Sequence, residues 1–529
     1  MMSNSRLALV EMGNHNGNSV RYLASYVKAQ GFPTNLLFLL LRGQAAFLPE
    51  ALIPRETFQQ KARLSGGQMA RLLAFLKDNA ITHLGFSLMT GNLRAFQEVV
   101  PYLRRGGWKG CIIAGGIHPT LCPDESLCEG VDFVVMGPGE LPLVDILRNR
   151  SPEGVSGLVY RRDGGIVRNP ILDEAYLKLE TLPFPDYDFE DHYLIRDDAT
   201  IHYGEAQRWK PLTAGGWYYF LTTGRGCPYH CQYCCNVNSR HLSRASVGRV
   251  MEELHWAKAK MPFLHGCGTE GDDSFFTGSD DWLREFSTRF KAEFGWPLII
   301  NIMPRFCTRE RLLMLKEGGL KFACIGLQGS ERLNREFYHR YETNDSFVKA
   351  CDMMAELGIS YSVDVILDSP YETEDDLREV CLTLNRLRRP FRVRAFSMTP
   401  FPGTPFYDRV VADGLLDKFA SDPYESAVAI YASLTTASRP DVYRTPLYWY
   451  KLIQKILCLY DGKEIDRLIE VGPHNPAAIA AVDRLYDKAA RRWAFAERFR
   501  TQAPKLFEKT LDFYIWWKRR LASIGVVSH

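Results

Sequence analysis

The amino-acid sequence predicts an α/β protein made of two successive β/α units and a helical carboxy-terminal region. Three observations predict it. Strand-like and helix-like segments alternate over residues 1–150, the alternation resumes with six strand candidates over 216–411, and beyond 412 the pattern turns helical and rich in aromatics. A chain of 529 residues is long enough for several sizeable cores.

In the first unit the strand candidates run from Arg6–Val10 through Thr82–Ser87 and Cys111–Ala114 to Val131–Val135, with helices from Ser19 to Gln30 and after Asn92. This is the order of a doubly wound parallel sheet, in which ligands sit outside the carboxyl ends of the strands. Small residues gather at those ends: Ser87 to Gly91, then Gly115-Gly116-Ile-His118-Pro119-Thr120, then Gly137-Pro-Gly139-Glu140. Glycine there lets a bulky ligand approach the backbone. Glycines after strands also serve simply as turn residues, and His118 before Pro119 fits a fixed turn as well as a ligand contact. Residues 151–215, with Leu182-Pro-Phe-Pro-Asp186, read as a connector that runs over the surface and joins two rigid units.

The second unit opens on the strand Tyr218–Thr223, broken by Gly224-Arg-Gly226, and then on Cys227-Pro-Tyr-His-Cys231-Gln-Tyr-Cys234. Three thiols at this spacing can wrap one corner of an iron-sulfur cubane and leave the fourth iron without a protein ligand. A zinc knuckle completed by His230 or His241, or a set of packed thiols, are the other readings. Cys235 adjoins Cys234 too closely to share a cluster with it and reads as a packing thiol. The remaining strands are a segment ending near Asp272, then Leu298–Met303, Phe322–Leu327, Ser362–Leu367 and Arg392–Ser397. Their carboxyl ends carry Asp272-Asp273, Pro304-Arg305, Gly326-Leu-Gln328-Gly-Ser330, Asp368-Ser-Pro370 and Pro400-Phe-Pro-Gly403-Thr404. Asp368 either faces the site, orienting substrate or exchanging a proton, or caps the following helix together with Thr373. Gln328 is also compatible with a satisfied polar group in a packed barrel.

The CxxxCxxC run, with the aromatic Tyr233 before its last cysteine, resembles the signature of the radical SAM superfamily. The resemblance implies a partial (β/α)6 barrel and a 4Fe-4S cluster on Cys227, Cys231 and Cys234. Its open iron would chelate S-adenosylmethionine, and an electron would cleave the sulfonium to a 5'-deoxyadenosyl radical. Tyr233 would lie near the adenine, and Gln328 and Ser330 would stand where ribose- and methionine-binding residues stand. Asp272 and Asp273 read from the residues as an acidic pair able to serve as acid, base or metal ligands, and the resemblance implies that they are structural and close to SAM. Two departures are visible: the fourth-strand pattern is one residue shorter than usual, and the fifth-strand run reads Leu367-Asp-Ser-Pro370-Tyr-Glu-Thr373.

The GGxHPT-like and GEGE-like turns of residues 1–150 resemble the cobalamin-binding domain fused ahead of many radical SAM domains. Ser87, Gly115, Gly116, His118, Gly137, Gly139 and Glu140 are then the cobalamin-binding candidates. No DxHxxG is present. His15, in Gly13-Asn-His15-Asn-Gly17, lacks the acidic partner that orients a cobalt ligand, so the lower cobalt face is expected to be free of histidine. The tandem implies a methyltransferase acting on an unactivated carbon, with an electron donor such as flavodoxin or ferredoxin. A radical cyclase, oxidase or carbon-carbon bond-forming enzyme, and a cobalamin- or redox-responsive binding protein, are the alternatives. A tRNA methylthiotransferase is disfavoured, because only Cys111, Cys122 and Cys128 lie upstream and no nucleic-acid-binding tail is evident.

Composition agrees. Hydrophobic content of 46%, charged content of 24% and a net charge of +3 are ordinary for a globular protein and argue against a nucleic-acid partner. Thirteen scattered cysteines without a secretory leader predict reduced thiols and a cytoplasmic location. No apolar run approaches the roughly 20 residues that span a bilayer. In the carboxy-terminal region, Leu447-Tyr-Trp-Tyr-Lys451 and the basic-ended stretch from Leu506 to Arg520 read as core, or as a lid over a lipid-like small-molecule substrate or against a membrane surface.

Overall fold

Strands apolar on both faces set the architecture: all six residues of β1 (Leu7–Met12) and all six of β2 (Thr34–Leu39) are buried, as in parallel strands covered on both sides. The structure, a computed structural model, describes residues 5–12, 18–39, 41, 63–203, 218–236, 241–269, 272, 274–419, 423–424 and 445–502, with side chains as far as 492. His15, Asp273 and the stretch from Leu506 to Arg520 lie outside the described residues.

The front sheet continues with β3 (His83–Ser87), β4 (Cys111–Gly115), β5 (Phe133–Val135), β6 (Leu158–Arg162), β7 (Gly165–Arg168), β8 (His192–Ile195) and β9 (Thr200–His202). Its order is β7-β6-β5-β4-β3-β1-β2-β8-β9. The central strands are parallel, and β6, β7 and β9 are antiparallel additions at the two edges. The expected doubly wound sheet is therefore present, with β2 an additional strand. Residues 158–202 do not run over the surface as a connector. They complete both edges of the sheet, because Leu158, Val159, Tyr160 and Ile195 have apolar faces to bury.

The second sheet is built from β10 (Tyr218–Phe220), β13 (Gly266–Gly268), β14 (Leu298–Ile302), β15 (Leu320–Gln328), β16 (Ser360–Leu367) and β17 (Arg392–Ser397), in that order and all parallel. Between β10 and β13 lies a two-residue ladder of β11 (Gly224–Arg225) and β12 (Ser243–Arg244). Six strands with helices on one face form the half barrel. The carboxy-terminal region is helical, and Tyr448, Trp449 and Tyr450 are buried in it. That part of the aromatic stretch is core.

The two units meet along a polar seam. Glu253, on the helix Val247–Lys260 of the barrel, accepts hydrogen bonds from Tyr22 of the front helix Asn18–Ala29 at 3.0 and 3.1 Å, from Tyr219 of β10 at 2.7 Å and from Arg249 at 3.2 Å. Burial pushes the Glu253 carboxyl up, and these donors oppose it. Asn18 bridges likewise, donating to the Phe220 carbonyl at 3.1 Å and accepting from Tyr187 at 3.1 Å. A charge held this way is costly to orphan. Glu253→Ala is expected to cost about 3–5 kcal/mol, since it strands a buried guanidinium and two phenols, whereas Tyr22→Phe should cost about 1 kcal/mol. Urea unfolding measures both, and a small, equal cost for the two variants would contradict the seam.

Candidate active site

The cysteine loop leaves the carboxyl end of β10 and is braced at its root. Thr223 donates its backbone N–H and its hydroxyl to Asp272 at 2.6 Å each, and Ser274 donates the same pair of groups to the other carboxylate oxygen at 2.9 and 2.7 Å. Asp272 is therefore structural, tying the first strand end to the second. Gly226 follows with φ +87°, and a Cβ there would sit 2.5 Å from the His241 carbonyl oxygen. Only glycine lets the chain turn into Cys227 at that point.

Beyond it, Cys231 is buried and Cys227 and Cys234 are half-buried. The Cys234 N–H donates to the Cys231 carbonyl at 3.0 Å, and Gln232 is pinned on both sides by the Tyr338 carbonyl and the Phe406 N–H, each at 3.1 Å. Cys235 sits in the same buried patch beside Cys234 and Cys122, and burial pushes its thiol up to about 12. His241 stacks on Tyr176 with ring centroids 3.6 Å apart and its Nε2 faces Asp173 at 3.7 Å.

Against this loop lies Arg340. Burial opposes its charge, but Tyr233, Glu342 and Cys231 around it hold the guanidinium above its ordinary range. It donates to the Gly326 carbonyl at 3.3 Å, pairs with Glu342 at 3.3 Å and covers the ring of Tyr229, whose hydroxyl donates to Glu342. Burial raises the Cys231 thiol, while Arg340 and Tyr233 pull the other way. Three thiols on one short loop with a buried guanidinium alongside are a donor set that fits an anionic iron-sulfur cluster.

Inside the half barrel, Asp364 of β16 and Arg394 of β17 form a two-pronged pair at 2.6 and 2.7 Å. Tyr233 packs edge-on to Tyr338 with centroids 5.1 Å apart. Gln328 ends β15 at a register shift with φ +66°, and any side chain at Gly326 would occupy the place of its amide. Ser330 caps the helix Glu331–Glu336 by accepting from Leu333 N–H at 3.1 Å and donates to Asp376 at 2.5 Å. Thr373 caps the helix Glu374–Asn385, whereas Asp368 does not. Asp368 has φ +64° and exchanges hydrogen bonds with Thr445 of the carboxy-terminal region, its N–H donating at 2.9 Å and its carboxylate accepting at 2.8 Å.

At the front sheet, Ser87 ends β3 beside Glu11 of β1, at the point where the strand order reverses. Burial lifts the Glu11 carboxyl to about 8 against a Ser87 hydrogen bond and the Arg21 charge. Gly115 ends β4, and a Cβ there would meet nothing closer than 3.9 Å, so the missing side chain leaves room for a ligand at the strand end. Gly116 (φ +112°) and Gly137 (φ +74°) are needed by the backbone itself. Thr120 accepts from Gly137 N–H at 2.9 Å, and Gly139 precedes the helix Glu140–Leu147. The His118 ring is fully buried, turned to Thr90 at 3.1 Å, and burial lowers it to about 4. Glu140, with a side chain 3% exposed, accepts from Arg225 at 2.6 Å. That pair joins the front turn to the residue two before Cys227.

Residues 221–384 match the Radical SAM superfamily and residues 13–147 match the B12 binding domain. The chain is a B12-binding radical SAM protein. Over 320 residues it is 26% identical to an uncharacterized methyltransferase of Pyrococcus horikoshii, a match covering 58% of this chain and 64% of that protein, so less than two thirds of the relative is spanned. Among solved structures it resembles the radical S-adenosylmethionine methyltransferase TsrM of Kitasatospora setae, at TM-score 0.58 and 17% identity over 77% of this chain and 76% of that one. It also resembles the cobalamin-dependent S-adenosylmethionine radical enzyme OxsB, at TM-score 0.57 and 14% identity over 97% and 75%. At such identities these likenesses concern the fold.

Sequence reasoning missed Glu11, Arg340, Glu342 and the Asp364–Arg394 pair in this radical SAM protein. A signal existed for the last: 362, 364 and 366, like 392, 394 and 396, alternate with the buried apolar residues Val363, Val365 and Ala395 and so face the barrel interior. Glu11 yields a pH test. The folded protein keeps its proton up to about 8 while the unfolded chain loses it near 4.5, so its contribution is full below 4.5 and is lost as the pH rises through about 8. Glu11→Gln is expected to flatten the decline in melting temperature between those two pH values, and an unchanged profile in the variant would contradict the assignment.

Proposed function

We propose that this chain is a cobalamin-dependent radical SAM methyltransferase acting on an unactivated carbon of a small-molecule, apolar substrate. The observation that carries the reading is the meeting of the two units at their strand ends. Glu140 holds Arg225 beside the cysteine loop, and Gly403, at the sixth strand end of the barrel with φ +80°, approaches Leu121 of the front domain so closely that a Cβ would sit 2.8 Å from the Leu121 Cβ. These contacts support a reading in which the strand ends that would bind the two cofactors face one region, as transfer between two cofactors requires.

When bound, the cluster with S-adenosylmethionine supplies one-electron cleavage of the sulfonium, and cobalamin supplies a methyl carrier. Cys227, Cys231 and Cys234 would hold the iron, and Arg340 would balance the charge of the thiolates. Asp364 and Arg394 offer the barrel interior opposite charges suited to an amino acid moiety. Ser87, Gly115 and Gly116 would line the cobalamin side, with Gly137, Gly139 and Glu140 shaping the neighbouring turn. Asp368 anchors the carboxy-terminal region over the fifth strand end and so positions it. A flavodoxin- or ferredoxin-type donor would reduce the cluster. The tryptophan substrate bound to TsrM is a small molecule, in keeping with this substrate class. Among the described residues no helix is long and apolar enough to cross a membrane.

The alternative is a radical enzyme that keeps the front domain without passing a methyl through it. Anaerobic incubation with methyl-labelled S-adenosylmethionine and cell extract separates the two, since only the first labels a product. Cys231→Ala is expected to abolish S-adenosylmethionine cleavage together with the cluster's electron paramagnetic resonance signal. Gly115→Val should weaken cobalamin retention by about tenfold or more, since overpacking a fitted site costs about 1–3 kcal/mol, while leaving the cluster signal intact. Cleavage that survives Cys231→Ala would end the radical assignment, and full cobalamin retention in Gly115→Val would remove that strand end from the site.

A further inference from the structure

The segment Ile117–Ser126, which the front domain presents to the barrel, carries a set of side chains that the proposed reaction does not use. The donor atoms of His118, Cys122 and Glu125 all lie within 4.8 Å of one another. The His118 side chain is fully buried, and its Nε2 has no hydrogen-bond partner. It faces Glu125 Oε2 at 3.6 Å, too long for a good hydrogen bond. That spacing is close to the edge of a tetrahedron with metal-ligand bonds of about 2.0–2.1 Å, which is about 3.4 Å.

Each ligand candidate is also oriented from behind. Thr90 Oγ1 lies 3.1 Å from His118 Nδ1, leaving Nε2 as the outward nitrogen. Tyr424 donates to Glu125 Oε1 at 3.1 Å, leaving Oε2 turned to the histidine, and its ring packs edge-on to His118. The Cys122 sulfur lies 3.1 Å from the position a Cβ would take at Gly403, so the thiol is wedged between the two units. Asp124, Glu125 and Asp408 put negative charge around it. A histidine and a glutamate that each have one atom held and the other turned to the shared space, with a thiol beside them, are the arrangement of metal sites.

We propose that His118, Cys122 and Glu125 bind a zinc-like divalent cation at the contact between the front domain and the barrel. Imidazole, thiolate and carboxylate together select a borderline-soft ion over magnesium or calcium. Three protein donors leave a fourth position for water. On binding, the Cys122 S–H bond breaks, the proton passes to solvent and a sulfur-metal bond forms, so affinity rises with pH. The ion would clamp the segment after Gly116 against Gly403 and Tyr424, and this does not depend on the proposed methyl transfer.

The test loads the full-length protein, carrying its cluster and cobalamin, with zinc chloride, desalts it, and measures zinc by mass spectrometry and by zinc-edge X-ray absorption. The expected result is one zinc with a sulfur shell at about 2.3 Å and nitrogen and oxygen at about 2.0–2.1 Å. Cys122→Ser, His118→Gln and Glu125→Gln should each lower affinity by about tenfold or more. Glu125→Gln guards against misfolding as the cause, because that side chain is 42% exposed. Zinc should persist in the Cys227→Ala, Cys231→Ala, Cys234→Ala triple variant. No retained zinc, zinc unchanged by Glu125→Gln and Cys122→Ser, or zinc lost only with the cluster cysteines would each overturn the proposal.

Discussion

One carboxylate organises the junction of the two units. Glu140 begins the helix that follows β5, and its bond to Arg225 reaches across to the short ladder from which the cysteine loop departs. A buried charge needs a partner, and the partner available is two residues from Cys227. The front sheet can therefore shift relative to the cysteine loop only by breaking that bond. The polar seam of Tyr22, Glu253 and Tyr219 fixes the same junction through the middle residue of β10.

Neither set of contacts is a strong source of net stability. An ion pair with one half-exposed member is worth about 1 kcal/mol or less, and a buried pair often does no better than well-packed apolar groups of the same volume. Their value is directional. Apolar surfaces would let two sheets slide over each other at little cost, whereas hydrogen bonds of 2.6–2.7 Å between named atoms allow a single register. Stability instead comes from one continuous apolar core that runs from Leu7 and Phe38 through Tyr219 to Val363 and Trp449.

Much of this was legible in the sequence, because apolar strands and glycine-marked ends have local signatures. β1, β3, β4 and β17 fall close to where alternation places them, and the cysteine loop follows a strand as its punctuation indicates. β2 escaped notice, and the two edge pairs of residues 158–202 were hidden because they join strands distant in sequence. The same reason explains Arg340 and Glu342, which lie more than a hundred residues from the cysteine loop they pack against and carry no local mark. Asp368 shows the limit from the other side. Two roles for it were weighed from its neighbours in the chain, and its partner proved to be Thr445, 77 residues away.

The Asp368–Thr445 clasp bears on how the molecule is made. During synthesis the fifth strand of the half barrel emerges well before residue 445, so its end carries a buried aspartate in a left-handed turn that has not yet met its distant hydroxyl and N–H. Those two hydrogen bonds form only once the helical region supplies Thr445. A vectorially growing chain thus leaves the fifth strand end open until a segment 77 residues later has been made, which couples the closing of that end of the half barrel to the docking of the helical region.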